Sequence, residues 1–61
     1  MDAMTTSQYR CICAHMSFWA LGIDEAMIDC GITCDKKEVV DELDKAGWVY
    51  DWDKDTLEYH G

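Results

Sequence analysis

The sequence predicts an α+β fold, three short helices followed by a C-terminal two-stranded β-hairpin. Three observations lead there. Apolar residues recur at offsets of three and four between Tyr9 and Ala46, the spacing of one helix face. Gly22, Gly31 and Gly47 cut that run into three pieces, and glycine commonly stands where a helix ends in left-handed backbone. After Gly47 the period changes to two, over Trp48, Tyr50 and Trp52, as side chains alternate along a strand.

The first helix is expected to begin at "TTSQ", where Thr5 and Gln8 stand three apart as in a capping box. Tyr9, Ile12, Cys13, Met16, Trp19 and Ala20 then form one stripe. Cys11, Phe18 and Leu21 lie off it, so this helix is apolar around most of its girth and is expected to be central or covered. Gly22 is its predicted stop. A short second helix follows through "DEAMIDC", with Asp24 as N-cap, Ala26, Met27 and Cys30 inward, and Gly31 at its end. The third helix carries Asp35 and Glu38 as an acidic capping box, Val39, Val40, Leu43 and Ala46 as its apolar face, and Gly47 as its close. In the hairpin, Trp48, Tyr50 and Trp52 share a face, "DKDT" is the turn, and "LEYH" returns with Leu57 and Tyr59 together. A lone hairpin is marginal in water, so the aromatic face is expected to pack on the helices and Asp51 and Asp53 to point outward. The order helix, helix, helix, hairpin resembles a miniature winged helix-turn-helix, with residues 22–32 as helix-turn, 36–46 as recognition helix and 48–60 as wing.

Sixty-one residues make one domain, spanning 1–61. A chain of this size buries only about 60% of its unfolded surface, so most apolar residues must serve the core. They make up 49% of the chain, too many for intrinsic disorder. The opening "MDAMTTSQYR" has an acid where a secretory leader has bases, and no apolar stretch reaches the ~20 residues of a membrane span. The expectation is a cytoplasmic protein.

Charge is the loudest feature. The net charge is −8, from thirteen acids and five bases. Asp2 and Arg10 cancel in residues 1–23, so twelve acids against four lysines place the whole excess in residues 24–61. A field this lopsided repels nucleic acid and anionic membrane and steers basic partners. Solubility alone accounts for a net charge of ~2–8 in a small domain; the segregation is what favours an interaction surface. Direct DNA binding needs Lys or Arg on phosphates. Lys36, Lys37 and Lys45 of the third helix face Asp35, Glu38, Asp41, Glu42 and Asp44, and Lys54 of the wing stands among Asp51, Asp53, Asp55 and Glu58. No nucleic acid is expected to bind directly.

The opposite sign gives a function. Helix neighbours three or four apart lie ~5–6 Å from one another, and alternate strand residues ~6.6 Å, comparable with successive phosphates. Carboxylates at that pitch suit a groove lined with Arg and Lys, since Arg pairs with carboxylate and phosphate alike. The expected partner-binding residues are Glu38, Asp41, Glu42, Asp44, Asp51, Asp53, Asp55 and Glu58. In size, acidity and the surface "DKKEVVDELDKAGWVYDWDKDTLE", the chain resembles small acidic phage-encoded inhibitors that mimic DNA, most of all anti-CRISPR proteins against type I surveillance complexes. The resemblance implies a non-enzymatic inhibitor in the bacterial host cell. It also implies a basic nucleic-acid-binding partner, such as a CRISPR surveillance complex occupied at the site that reads the protospacer-adjacent motif or along the basic groove that guides target DNA. The inhibitor is expected to be a monomer. The alternative is a winged-helix-like adaptor or regulator acting through protein–protein contacts of its first helix, with Phe18, Trp19 and Leu21 partly exposed.

No catalytic signature and no cofactor motif stand in the chain. Cys11 and Cys13, with Cys30 and Cys34, read C-x-C and C-x₃-C, and His15 follows. Residues two apart on a helix diverge, and Gly31 interrupts the second pair, so free, buried thiols are expected; a zinc site and a disulfide are the alternatives. His15 near these thiols lacks the third group and the cleft that a Cys–His nucleophile needs. The acids of "DWDKDTLEYHG" resemble an EF-hand loop only loosely, without its central glycine and closing Glu. No metal is expected.

Overall fold

The computed structural model describes residues 4–61; Asp2, part of the charge balance, lies outside them. The order is α1 (Thr6–Cys13), a π-helical turn (Ala14–Phe18), α2 (Ile23–Asp29), α3 (Lys36–Lys45), β1 (Trp48–Asp51) and β2 (Thr56–Tyr59). The α+β class and the predicted sequence of elements are those of the structure. No helix of the described residues is long and apolar enough to cross a membrane.

The start of α1 is as its sequence dictates. Thr5 Oγ1 accepts from the Gln8 amide at 3.1 Å, and Gln8 Oε1 accepts from the Thr5 amide at 3.0 Å, a capping box that satisfies two otherwise unpaired donors. Gln8 Nε2 also donates to the Gly31 carbonyl at 3.0 Å, tying this cap to the chain beyond α2. Ile12, Cys13 and Met16 are buried as expected. Trp19 and Ala20, on the same predicted stripe, are exposed. The helix widens instead of continuing: the Trp19 amide reaches back five residues to the Ala14 carbonyl and Leu21 reaches six to His15. The Ser17 hydroxyl takes the Cys13 carbonyl, and His15 Nδ1 donates to the Cys11 carbonyl at 2.8 Å. Side chains that occupy i−4 carbonyls compete with the backbone ladder. A wider turn rotates every later residue off the 3.6-residue stripe, and Ala20 then leaves the helix in left-handed backbone, φ 56°. Helix 1 therefore ends before Gly22.

Gly22 is the N-cap of α2, two residues ahead of the predicted Asp24. It is extended, and its missing side chain matters for space: a Cβ there would collide with the Asp55 carboxylate. Asp24 instead lies in the first turn and pairs with Lys36 at 3.0 Å. Asp35 is the N-cap of α3 but makes no side-chain cap bond. Val39 and Leu43 are wholly buried and Val40 half-buried, whereas Ala46 is exposed. Gly47 closes the helix at φ 98°, where Gly61 also passes too close for a side chain.

The strands are antiparallel, pairing Trp48 with Tyr59, Val49 with Glu58, Tyr50 with Leu57 and Asp51 with Thr56. Tyr50 and Leu57 are buried against the helices, and Trp48 Nε1 donates to the Tyr9 hydroxyl at 2.8 Å. The turn is Trp52–Asp53–Lys54–Asp55, one residue earlier than "DKDT". Asp51 sets it: its Oδ1 accepts from the Asp53 and Lys54 amides at 2.9 and 3.0 Å, an Asx-type capture that bends the chain at once. Trp52 thus leaves the strand, stands exposed, and touches the Tyr50 ring edge-on at 4.9 Å.

The turn closes onto the helices through Asp55. Its backbone is left-handed, φ 55°, which Asp tolerates better than most residues. Its Oδ1 accepts from the Ile23 amide at 3.0 Å and from the Tyr50 hydroxyl. These bonds, Tyr50 first, hold the Asp55 carboxyl below its usual range. Burial, then the bond to Asp55, pushes the Tyr50 phenol up. A carboxyl with a depressed native pKa stabilises the fold above its unfolded value, and that stabilisation is lost as pH falls through the native one. Asp55→Asn should therefore cost about 1–2 kcal/mol at pH 7, the difference between charged and neutral bonds. It should also flatten the acid limb of the stability profile below about pH 4. Urea unfolding of both proteins between pH 7 and pH 2.5 reads this out; parallel curves would refute it.

Candidate functional site

The eight carboxylates expected to meet a partner fall into two populations. Glu38, Asp41 and Asp44 are exposed on α3, and Asp53 and Glu58 are exposed on the hairpin. The Glu38–Asp41 and Asp41–Asp44 spacings of three make them neighbours along one side of α3. That side also carries Lys37 and Lys45, each four residues from Asp41. α3 packs directly on β1, so the two acidic groups sit on adjoining elements.

The other three are not displayed as expected. Asp55 is half-buried and spends its carboxylate on Ile23 and Tyr50. Asp51 is half-buried and spends its own on the turn amides. Strict alternation would send Asp51 outward, but a carboxylate two residues before a free amide folds back to it. Glu42 is half-buried, because α3 turns it toward the side that also bears Leu43 and Val39 rather than toward solvent. Its neighbourhood includes Lys45, Ala46, Tyr9 and Met4 around a shallow concavity of about 490 Å³.

Sequence reasoning missed part of the acidic surface. Asp24, Glu25, Asp29 and Asp35 are also exposed, which brings the exposed carboxylates among the described residues to nine. Exposed bases among those residues are Arg10, Lys37, Lys45 and Lys54. The signal was present, since acids crowd the first turn of α2, where they complement the helix dipole. The field registers on a thiol: burial first, then Glu38 with Asp35 and Glu42, raises the Cys34 pKa. On the outer hairpin face, Val49, Trp52, Asp53, Glu58 and His60 surround a second shallow concavity of about 420 Å³, and His60 Nε2 lies 3.6 Å from Glu58.

Two further features are distinct from the acids. The widened helix turn throws Phe18 and Trp19 outward, 87% and 66% exposed, with their rings edge-to-face at 6.3 Å. The cysteines depart from the expectation of free thiols. Cys11 and Cys30 form a disulfide with Cα atoms 5.8 Å apart, while Cys13 and Cys34 are free. The pairing joins two helices, which spacing within either cysteine motif does not disclose. Closing a loop between residues 19 apart stabilises a small fold by about 3 kcal/mol in the chain-entropy account.

No protein-family model, no curated protein and no solved structure matches this chain.

The division between structural and displayed carboxylates is measurable. Asp51→Ala, which frees two turn amides, should destabilise by about 1–2 kcal/mol. Asp53→Lys and Glu38→Lys should each stay within about 0.5 kcal/mol of the parent. Thermal unfolding of the three variants checks the ordering, and equal losses at all three would contradict it.

Proposed function

We propose that this chain is an acidic inhibitor of the anti-CRISPR type, which occupies the nucleic-acid groove of a basic binding protein by presenting carboxylates in place of phosphates. The observation that carries this reading is the display of Glu38, Asp41, Asp44, Asp53 and Glu58 on packed, adjoining elements. A rigid display loses little side-chain and backbone freedom on binding. Glu25 and Asp29 on α2 and Asp35 at the N-cap of α3 extend the same sign, which favours fast, steered encounter with a cationic groove. The motif-reading subunit of a surveillance complex is one partner with the required chemistry. Asp51 and Asp55 act beneath this surface, holding the hairpin in shape, and are not contacts in this reading.

The test is capture from a bacterial lysate at low and high salt, followed by competition of the captured protein with duplex DNA. Supporting results are a nucleic-acid binder released by DNA, with an affinity that falls steeply as salt rises. The variant Glu38→Gln, Asp41→Asn, Asp44→Asn, Asp53→Asn should lose at least tenfold in affinity at low salt while keeping its thermal midpoint. Binding that is indifferent to salt, or to the fourfold change, rejects the reading.

A second reading rests on the exposed Phe18–Trp19 pair: an adaptor or regulator that docks through this apolar knuckle. Large aromatics exposed together mark interaction sites more often than chance. Sedimentation at micromolar concentration separates the two, since a dimer abolished by Trp19→Ser favours the adaptor and a monomer favours the inhibitor.

A further inference from the structure

Cys11 lies on the last turns of α1, His15 one helical turn later, and Cys30 at the C-cap of α2. His15 Nδ1 stands 3.5 Å from Cys11 Sγ and 3.9 Å from Cys30 Sγ. All three are half-buried, neither sealed in the core nor free in solvent, and their donor atoms fall within 4.8 Å of one another. On the far side of the imidazole, Nε2 lies 3.8 Å from Asp29 Oδ2.

These distances have a chemical meaning apart from the disulfide. Tetrahedral zinc, with Zn–S of about 2.3 Å and Zn–N of about 2.0–2.1 Å, places sulfur and nitrogen ligands ~3.6 Å apart and two sulfurs ~3.8 Å apart. Both sulfur–nitrogen separations are already close to that value. Two changes are needed: the sulfurs part once the bond between them is broken, and Nδ1 turns from the Cys11 carbonyl toward them. Asp29 supplies the remaining requirement, since an imidazole bound to metal through one nitrogen usually donates its other N–H to a carboxylate. In the disulfide form His15 Nδ1 donates to the Cys11 carbonyl. Metal binding would shift the hydrogen to Nε2, on the side of Asp29, whose carboxylate must close from 3.8 Å to accept it.

We propose that Cys11, Cys30 and His15 Nδ1 form a site for a soft divalent cation, zinc in kind, that exists in the dithiol form of the chain and is lost when the Cys11–Cys30 disulfide forms. Interconversion requires a thiol reductant. Two molecules of a low-molecular-weight thiol give two electrons and two protons to the disulfide through a mixed disulfide, leaving Cys11 and Cys30 as thiols and departing as their own disulfide. The cation then displaces the two thiol protons, and solvent completes its fourth position. Soft thiolate ligands with one imidazole select zinc over magnesium or calcium. The site does not depend on the inhibitor reading, and failure of either leaves the other standing.

Cobalt(II) titration of the full chain tests it, with one sample oxidised and one reduced and freed of reductant under anaerobic conditions. The reduced chain should take up one cobalt with a thiolate-to-cobalt charge-transfer band, and stoichiometric zinc should displace it; the oxidised chain should show no band. Cys30→Ser should weaken the band and the affinity, and Asp29→Asn should lower affinity at least tenfold while preserving the band, as expected of a positioning residue. Cys34→Ala should change neither. If reduction unfolds the chain, zinc should restore its helical ellipticity, because metal affinity then appears as folding free energy. No band at one hundred micromolar cobalt, uptake unchanged in Cys30→Ser, or a reduced unfolded chain that zinc fails to refold would each overturn the proposal.

Discussion

One carboxylate ties the hairpin turn to the start of the second helix. Asp55, at the end of the hairpin turn, accepts the first amide of α2 and the hydroxyl of Tyr50. An α-helix begins with unpaired N–H groups, and the extended N-cap glycine of α2 has no side chain to offer them. The cap therefore comes from 32 residues away. Together with the Trp48–Tyr9 hydrogen bond and the burial of Tyr50 and Leu57, this contact holds the hairpin on the helices. Gly22 follows from it, because the carboxylate needs the room that a side chain would fill. The left-handed backbone at Asp55 belongs to the same turn.

The same constraint divides the acids by task. Among the described residues this small chain has a core of eleven buried apolar side chains and no buried charged one. Its few long-range polar ties must therefore come from half-buried groups at the rim of that core. Asp51 and Asp55 are such groups, and they order the hairpin from within the chain. The displayed carboxylates then sit on a scaffold whose shape is already set, which is the condition for binding by charge without a large ordering cost. Net charge alone would not distinguish this from a solvated acidic coil; the packed α3–β1 pair beneath the charges does.

What was legible in the sequence was local. The Thr5–Gln8 capping box, the stops at Gly31 and Gly47, the burial of Ile12, Val39 and Leu43, and the change of period after Gly47 each depend on residues within one turn or one strand. What was not legible depended on a competitor for the backbone or on distance along the chain. The stripe through Trp19 assumed a uniform helix, and it failed where His15 and Ser17 took carbonyls from the ladder. Alternation puts Trp52 in the strand, but Asp51 ends the strand before it. Asp55 gives no local sign of its role, because nothing near it in the sequence shows that α2 lacks a cap of its own. The disulfide joins cysteines that the two motifs kept apart, since helix packing and not motif spacing decides which sulfurs meet.

The widened turn in helix 1 links features that otherwise look unrelated. A helix that continued regularly past Cys13 would carry Trp19 on the buried stripe with Ile12 and Met16, and Phe18 beside it. Widening sends both rings outward, while His15, held to the Cys11 carbonyl, stays at the edge of the core facing Cys30 and Asp29. A π-helical turn is costly relative to a regular one and recurs at functional positions. Here its consequences are an apolar knuckle in solvent and a sulfur–imidazole cluster at the junction of α1 and α2. Burying Trp19 in a regular helix would have added apolar area to a core that is short of it. The backbone of the turn, set by His15 and Ser17 on their i−4 carbonyls, thus outweighs the apolar area that burial of Trp19 would have added.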